Sequence, residues 1–324
     1  MSWNLTTPNN RISGTRKFAR QHCPATRVCS RALSFMRPNQ QTTNTMDLQD
    51  TIKQSIDLLQ RGEALALELN PKQGYYLAFS GGKDSQVLLA LAKMAGVKFH
   101  AEYSVTGNDA PENLYYLREH YPEVHWAHPK KKFFALVKDK GLPTINRRFC
   151  CERLKEGLGK GEAVLTGVRA EESRKRASYG AIEIFSRRVE HRGKERAKDT
   201  QWLAQLEHEC VKGQDRVMIR PMLHWKQEEV WAFIIQNGMP VNPLYKMHGR
   251  VGCMFCPFAS ARDIATYRKE YPRFEAALIR ALQCFWDKYP QHMLPNVEYL
   301  LHWWMTKRTV EEYKRVMGLE QEWY

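Results

Sequence analysis

Residues 75–95 constrain this chain more than any other stretch. An apolar run, Tyr75-Tyr-Leu-Ala-Phe79, stops at Ser80-Gly-Gly-Lys-Asp-Ser85, and Gln86-Val-Leu-Leu-Ala-Leu-Ala-Lys-Met-Ala95 follows with apolar residues at helical spacing. The pattern predicts strand, tight turn, helix. Gly81 and Gly82 let the backbone adopt unusual dihedrals and approach a ligand, so successive N–H groups can face one concavity. The positive end of the helix and the Lys83 charge add to that field, so the turn is built to hold phosphate or sulfate. It is not the Gly-x-x-x-x-Gly-Lys-Ser/Thr loop, because one turn of chain joins strand to helix and Asp84 follows the lysine.

Strands and helices alternate on both sides of this turn. A helix or helix pair is expected over 47–69, strands over 97–103, 124–126, 163–167 and 217–219, and helices over 112–120, 133–140 and 227–236. Strands spaced by helices imply parallel βαβ units with helices on both faces, and ligands then sit at the carboxyl ends of the strands. From 257 onward, helical segments over 274–286, 297–304 and 310–316 form a C-terminal helical appendage in which Trp303 and Trp304 serve packing. The expected division is a tail over 1–45, an α/β nucleotide-binding domain over 46–250, and a Cys-x-x-Cys and helical segment over 251–324.

Charge is uneven. The 324 residues carry a net charge of +15, which suggests polyanionic partners. Residues 1–45 hold seven of the basic residues and no Asp or Glu, leaving 43 basic against 35 acidic residues elsewhere. That tail reads as disorder, as a transit-peptide-like leader, or as sequence ahead of a true start at Met46. The charge run over 187–216 reads as a solvated insertion rather than a nucleic-acid surface. No apolar run approaches the ~20 residues of a membrane span, so a soluble protein is expected.

Eight cysteines stand at 23, 29, 150, 151, 210, 253, 256 and 284, in a chain large enough to need no disulfides, so a reducing, cytoplasmic setting is expected. Cys150-Cys151 and Cys253-x-x-Cys256 form two pairs, a donor set for a soft metal centre. Adjacent cysteines are awkward for one tetrahedral zinc, whereas a four-iron cluster offers each thiolate its own corner. A 4Fe-4S cluster is the expected occupant, with zinc or plain buried thiols as alternatives. Cys210 and Cys284 read as packing residues.

The Ser80–Ser85 loop resembles the SGGKDS loop of the PP-loop adenine-nucleotide enzymes (adenine nucleotide alpha-hydrolase type), a group that includes the phosphoadenosine phosphosulfate (PAPS) reductase family. Four further stretches resemble that family in order: Thr106-Gly107 with Pro111-Glu112, Gly167-Val-Arg-Ala-Glu-Glu-Ser-Arg174, Pro221–Trp231 running on to Asn242-Pro-Leu-Tyr245, and Gly252-Cys-Met-Phe-Cys-Pro257. The family's aspartate before the threonine is Val105 here. The two cysteine pairs resemble those of the adenylylsulfate (APS) reductases, including a lysine four residues after the second cysteine, here Lys155. The resemblance implies a PP-loop parallel sheet flanked by helices. It implies that Ser80, Gly81, Gly82, Lys83, Asp84, Ser85, Arg169 and Arg174 bind APS, PAPS or ATP, with adenine around Ala78 to Ser80, and that Lys155 stands between cluster and substrate.

The reductases draw their nucleophile from a C-terminal Glu-Cys-Gly-x-His segment, and no cysteine follows Cys284 in this sequence. Three expectations follow. One is sulfonucleotide reduction through another thiol, Cys284 or a partner's, with a thioredoxin-like donor. Another is an ATP pyrophosphatase or adenylating sulfurtransferase acting on nucleic acid, in which Lys83 holds phosphates, Asp84 faces Mg²⁺ and the arginines stabilise the leaving group. The third is an inactive nucleotide and cluster sensor. A homo-oligomer is expected in each.

Overall fold

A computed structural model describes residues 45–185, 216–289 and 293–319, all within one compact unit spanning 43–324. The tail, most of the charged insertion, and Cys23, Cys29 and Cys210 lie outside the described residues.

Six strands form one sheet: β1 (Tyr75–Phe79), β2 (Phe99–Ser104), β3 (His125–Ala127), β4 (Ala163–Leu165), β5 (Ile182–Phe185) and β6 (Arg216–Ile219), in the order β3-β2-β1-β4-β6-β5. The first four pairings from the β3 edge are parallel, as the alternation of elements predicts, and β1 lies between β2 and β4 at the point where the winding reverses. The expected parallel sheet forms, and one further edge strand, β5, runs antiparallel to β6. Its four residues adjoin the charged run and escaped a periodicity search because so short a segment carries little pattern.

Helix α1 (Thr45–Leu69) is a single helix, and its buried Leu48, Ile52, Leu59 and Ala66 share one face. It packs on α2 (Lys83–Ala95), which ends at Gly96 in the left-handed conformation. Helix α7 (Gln227–Gln236) also packs on α2, with Val230, Phe233 and Ile234 in the same core. Ser55 pins this layer by donating to the Pro221 carbonyl (2.8 Å) and accepting from Trp225 Nε1 (2.8 Å). Along β1 the pleat sends Tyr75, Leu77 and Phe79 into that core, while Tyr76 and Ala78 face the other side and line a cavity.

The remaining helices are α3 (Pro111–His120), α4 (Phe133–Lys140), α5 (Phe149–Leu154), α6 (Arg174–Ala177), α8 (Leu244–His248), α9 (Ala261–Glu270), α10 (Pro272–Lys288), α11 (Val297–Thr306) and α12 (Val310–Met317). Side-chain caps from Ser260, Asn296 and Thr309 start α9, α11 and α12. The C-terminal helices do not stand apart. Leu278, Ala281, Leu282, Leu301 and Trp304 share a second core with Phe133, Leu136 and Val137 of α4 and with Phe149 of α5. Trp304 donates to the Pro143 carbonyl (2.6 Å) and Trp303 to the Arg308 carbonyl (3.0 Å), the packing roles expected of them. Cys284, in contrast, is exposed on α10, which corrects its reading as a packing residue.

Phe133 is fully buried where α4 meets α10. Phe133→Ala should cost about 3–5 kcal/mol in urea denaturation, and a loss below about 1 kcal/mol would mean that this second core carries little of the stability.

Candidate functional site

The turn after β1 is locked from beneath. Gly81 has φ +75°, and a Cβ there would lie 2.6 Å from Asn113 Oδ1, so only glycine fits without a shift. Its carbonyl accepts from Gln86 Nε2 (3.0 Å) and Asn242 Nδ2 (3.1 Å). Asn242, wholly buried, also donates to Asn113 Oδ1 (2.7 Å), and Asn113 Nδ2 donates to the Ser80 carbonyl (3.3 Å). Ser85 Oγ accepts from the Ser80 N–H (3.2 Å) and donates to the Gly82 carbonyl (2.9 Å). Gln86, Asn113 and Asn242 were not among the expected site residues. Asn242 lies in a motif the sequence singled out, whereas nothing local marks Gln86 or Asn113 as clamps.

Above this base sits the start of α2. The Lys83 N–H donates to Tyr245 Oη (2.8 Å), so a phenol oxygen occupies a position where an anion's oxygen would accept. Burial pushes the Tyr245 hydroxyl above its ordinary range, which keeps a proton available for an incoming anion. Lys83 is buried, and its Nζ lies 2.7 Å from Asp84 Oδ2. The other Asp84 oxygen accepts from Arg169 Nε (2.7 Å).

Arg169 is among the most buried charges described, with 2% of its surface exposed. It reaches Asp84, Glu171 Oε2 (2.7 Å from Nη1) and, at 3.5 Å, the Trp225 carbonyl. Its own N–H donates to Glu172 (3.0 Å), and Glu171 accepts from the Gln227 N–H at the start of α7 (2.7 Å). Arg169 therefore ties the loop to the turn after β4 and to α7. Arg174, expected beside the same anion, is exposed at the first position of α6. The structure thus brings Ser80–Ser85 together with Arg169 and leaves Arg174 at the surface.

A cavity of about 170 Å³ opens beside the loop. It is lined by Tyr76, Ala78, Phe79 and Ser80 of β1 and its end, Glu102 and Ser104 of β2, and across from them Lys155, Leu158, Val251 and Gly252. The Ala78–Ser80 position expected for adenine is on this wall. Lys155 is exposed overall yet lines the cavity, and its hold on the proton is raised first by Cys253 and then by Asp109. Asp109 is fixed in place by the Thr106 N–H (3.1 Å) and hydroxyl (2.7 Å), and its backbone bridges to Cys253.

The two cysteine pairs come to one neighbourhood. Helix α5, not expected from the sequence, carries Cys150 and Cys151, and Cys150 packs on the same core as Cys256. The Cys150 thiol is pushed up, first by its hydrogen bond with Cys151 and then by burial, with Cys253 adding to the rise. That hydrogen bond and the Lys155 charge lower Cys151 to about 6. Burial raises Cys253, with Lys155 pulling the other way. Among the described residues, no three His, Cys, Asp or Glu converge as a single ion requires.

Arg169→Ala should cost about 3–5 kcal/mol, because two carboxylates lose their buried partner. Thermal or urea unfolding reads this directly, and a change under about 1 kcal/mol would show that Asp84 does not depend on Arg169.

Comparison with known proteins adds the following. Two uncharacterised proteins of Methanocaldococcus jannaschii match at 29% identity over 62% of this chain and at 24% over 74%, and the chain spans only 40% and 57% of their lengths. An adenosine 5'-phosphosulfate reductase of Bacillus thuringiensis matches at 23% identity over 55% of this chain and 71% of its own length. Among solved structures, the PAPS reductase of Candida auris aligns at 18% identity with a TM-score of 0.39, over 64% of this chain and 95% of that one. The FMN adenylyltransferase of Candida glabrata aligns at 15% identity and 0.40, over 68% of each chain. The phosphoadenosine phosphosulfate reductase domain model matches residues 74–259, more than half of the chain and the same span that carries the loop, the Arg169 tie and both cysteine pairs, and this protein belongs to that family.

Proposed function

We propose that the chain is an adenine-nucleotide enzyme of sulfur metabolism that binds a sulfonucleotide with its phosphate on the Ser80–Ser85 loop and its sulfur end toward Lys155. The observation that carries this reading is the cavity, which runs from the loop and the end of β1 to Lys155 and the 251–252 segment beside Cys253. Lys83 and the first amides of α2 meet the phosphate, with Tyr245 yielding or sharing its place. The Lys155 ammonium faces the sulfo oxygens and orients them for attack at sulfur, while Lys83 and the loop amides meet the negative charge that gathers on the leaving phosphate as the sulfur–oxygen bond breaks. One thiolate of an external dithiol of the thioredoxin class attacks the sulfur as the nucleoside monophosphate leaves with the bonding electrons, and the second thiol then displaces sulfite and closes the disulfide.

Two implied groups test differently against the residues present. Both Asp84 oxygens already accept from cations, Lys83 and Arg169, so Asp84 does not fit a Mg²⁺ ligand and no step is derived through that ion. The four cysteines fit a 4Fe-4S cluster by donor chemistry. They are thiols in two pairs, near enough for Cys253 to act on Cys150, yet spread more widely than one ion tolerates. Cys150, Cys151, Cys253 and Cys256 would hold it. When bound, the cluster supplies a compact inorganic centre next to Lys155, whose charge tunes the sulfo end of the cavity.

Isothermal titration under anaerobic conditions should show APS binding, with a loss of at least about tenfold in Lys83→Ala, the equivalent of one charge-assisted contact. Unchanged affinity in that variant would overturn the loop assignment. Protein purified without oxygen should be brown and carry about four irons per chain, falling to near zero in Cys253→Ser/Cys256→Ser. A colourless protein with one zinc would remove the cluster.

A further inference from the structure

The nucleotide cavity is not uniformly cationic. In the parallel pairing of β1 and β2, Ala78 lies opposite Glu102, so Glu102 projects from the same sheet face as Tyr76 and Ala78. All three line the cavity. Glu102 lies two residues before the end of β2 and Tyr76 three before the end of β1, so they form the floor below the loop, away from Lys83. The Glu102 side chain is 22% exposed, with His125 Nδ1 at 3.4 Å from its Oε1. The Tyr76 hydroxyl faces the same carboxylate, and its ionisation is pushed up by burial and then by Glu102. It therefore remains a neutral donor beside Glu102.

Besides Glu102 the lining carries one carboxylate, Asp109, and one ammonium, Lys155, and Tyr76 also feels Glu162 and Arg216, one charge of each sign. Lys155, also on the lining, interacts with Cys253 and Asp109 as well. Arg250 packs against Gly252 and is not on the lining. A dianionic phosphate brought to the floor would meet Glu102 at short range in a partly desolvated space, where like charges repel strongly.

We infer that Glu102, with Tyr76 beside it, is a specificity-determining residue: the floor of the cavity takes an uncharged, hydrogen-bond-donating part of the nucleoside and excludes a second phosphate. The inference rests on the proposed nucleotide site and narrows its ligand to nucleotides phosphorylated at the 5′ position alone. Glu102 accepts from the nucleoside, and its charge sets the penalty on a 3′-phosphorylated ligand.

Calorimetric titration with AMP and with adenosine 3′,5′-bisphosphate tests it, since the two differ only at the 3′ position. The native chain should bind AMP at least about tenfold more tightly, a difference of about 1.4 kcal/mol. Glu102→Gln keeps the shape and removes the charge, and should bring the two affinities within about threefold of each other. Equal or tighter binding of the bisphosphate by the native chain would overturn the inference whether or not the variant folds. An unchanged ratio in a folded Glu102→Gln variant would also overturn it, while leaving the nucleotide site intact. Failure of the native chain to bind either nucleotide would instead overturn the proposed function, and this inference with it.

Discussion

Asp84 is the charge on which the site's geometry rests. One of its oxygens meets Lys83 and the other meets Arg169, each at 2.7 Å, so two cations from different parts of the chain are held by a single carboxylate at the start of α2. A buried arginine without such partners would carry a desolvation cost of several kcal/mol. Here the partners are supplied by the loop and by Glu171, and the cost is met by fixing the loop, the turn after β4 and the N-terminus of α7 relative to one another. The loop is thereby held in one arrangement by contacts within the chain itself.

A second set of constraints acts beneath the loop and is neutral. Gln86, Asn113 and Asn242 take up the carbonyls of Ser80 and Gly81 from three separate elements. With those carbonyls occupied from beneath, the Lys83 amide is left to donate elsewhere, to Tyr245. The left-handed Gly81 makes this arrangement possible, and the close approach of Asn113 removes the space any side chain would need.

The second core explains why the cysteine pairs, about a hundred residues apart in sequence, share a neighbourhood. Phe149 and Leu154 of α5 and Met254 and Phe255 of the Cys-x-x-Cys segment are buried in the same cluster as α10 and α11. The C-terminal helices thus support the segments that carry the cysteine pairs, while the sheet and its helices support the Ser80–Ser85 loop. Lys155, just past α5 and facing Cys253, stands where the two meet.

Much of this was legible in the residues themselves. The strand, loop and first helix over 75–95 announce themselves because glycines, lysine and helical periodicity act locally, and Tyr75–Phe79, Phe133–Lys140 and Gln227–Gln236 form as the pattern predicts. The two cysteine pairs were legible as pairs, but that the fold brings them to one neighbourhood was not. Tertiary structure alone decided the remainder. Arg169 and Arg174 look alike in sequence, yet one is buried on Asp84 and the other exposed, since that depends on which side of a short turn faces the loop. The amide clamps, the antiparallel edge, the exposed Cys284 and the placing of Glu102 on the cavity floor follow from the pairing of distant segments. Such pairing depends on side-chain contacts across the fold, to which local periodicity is blind.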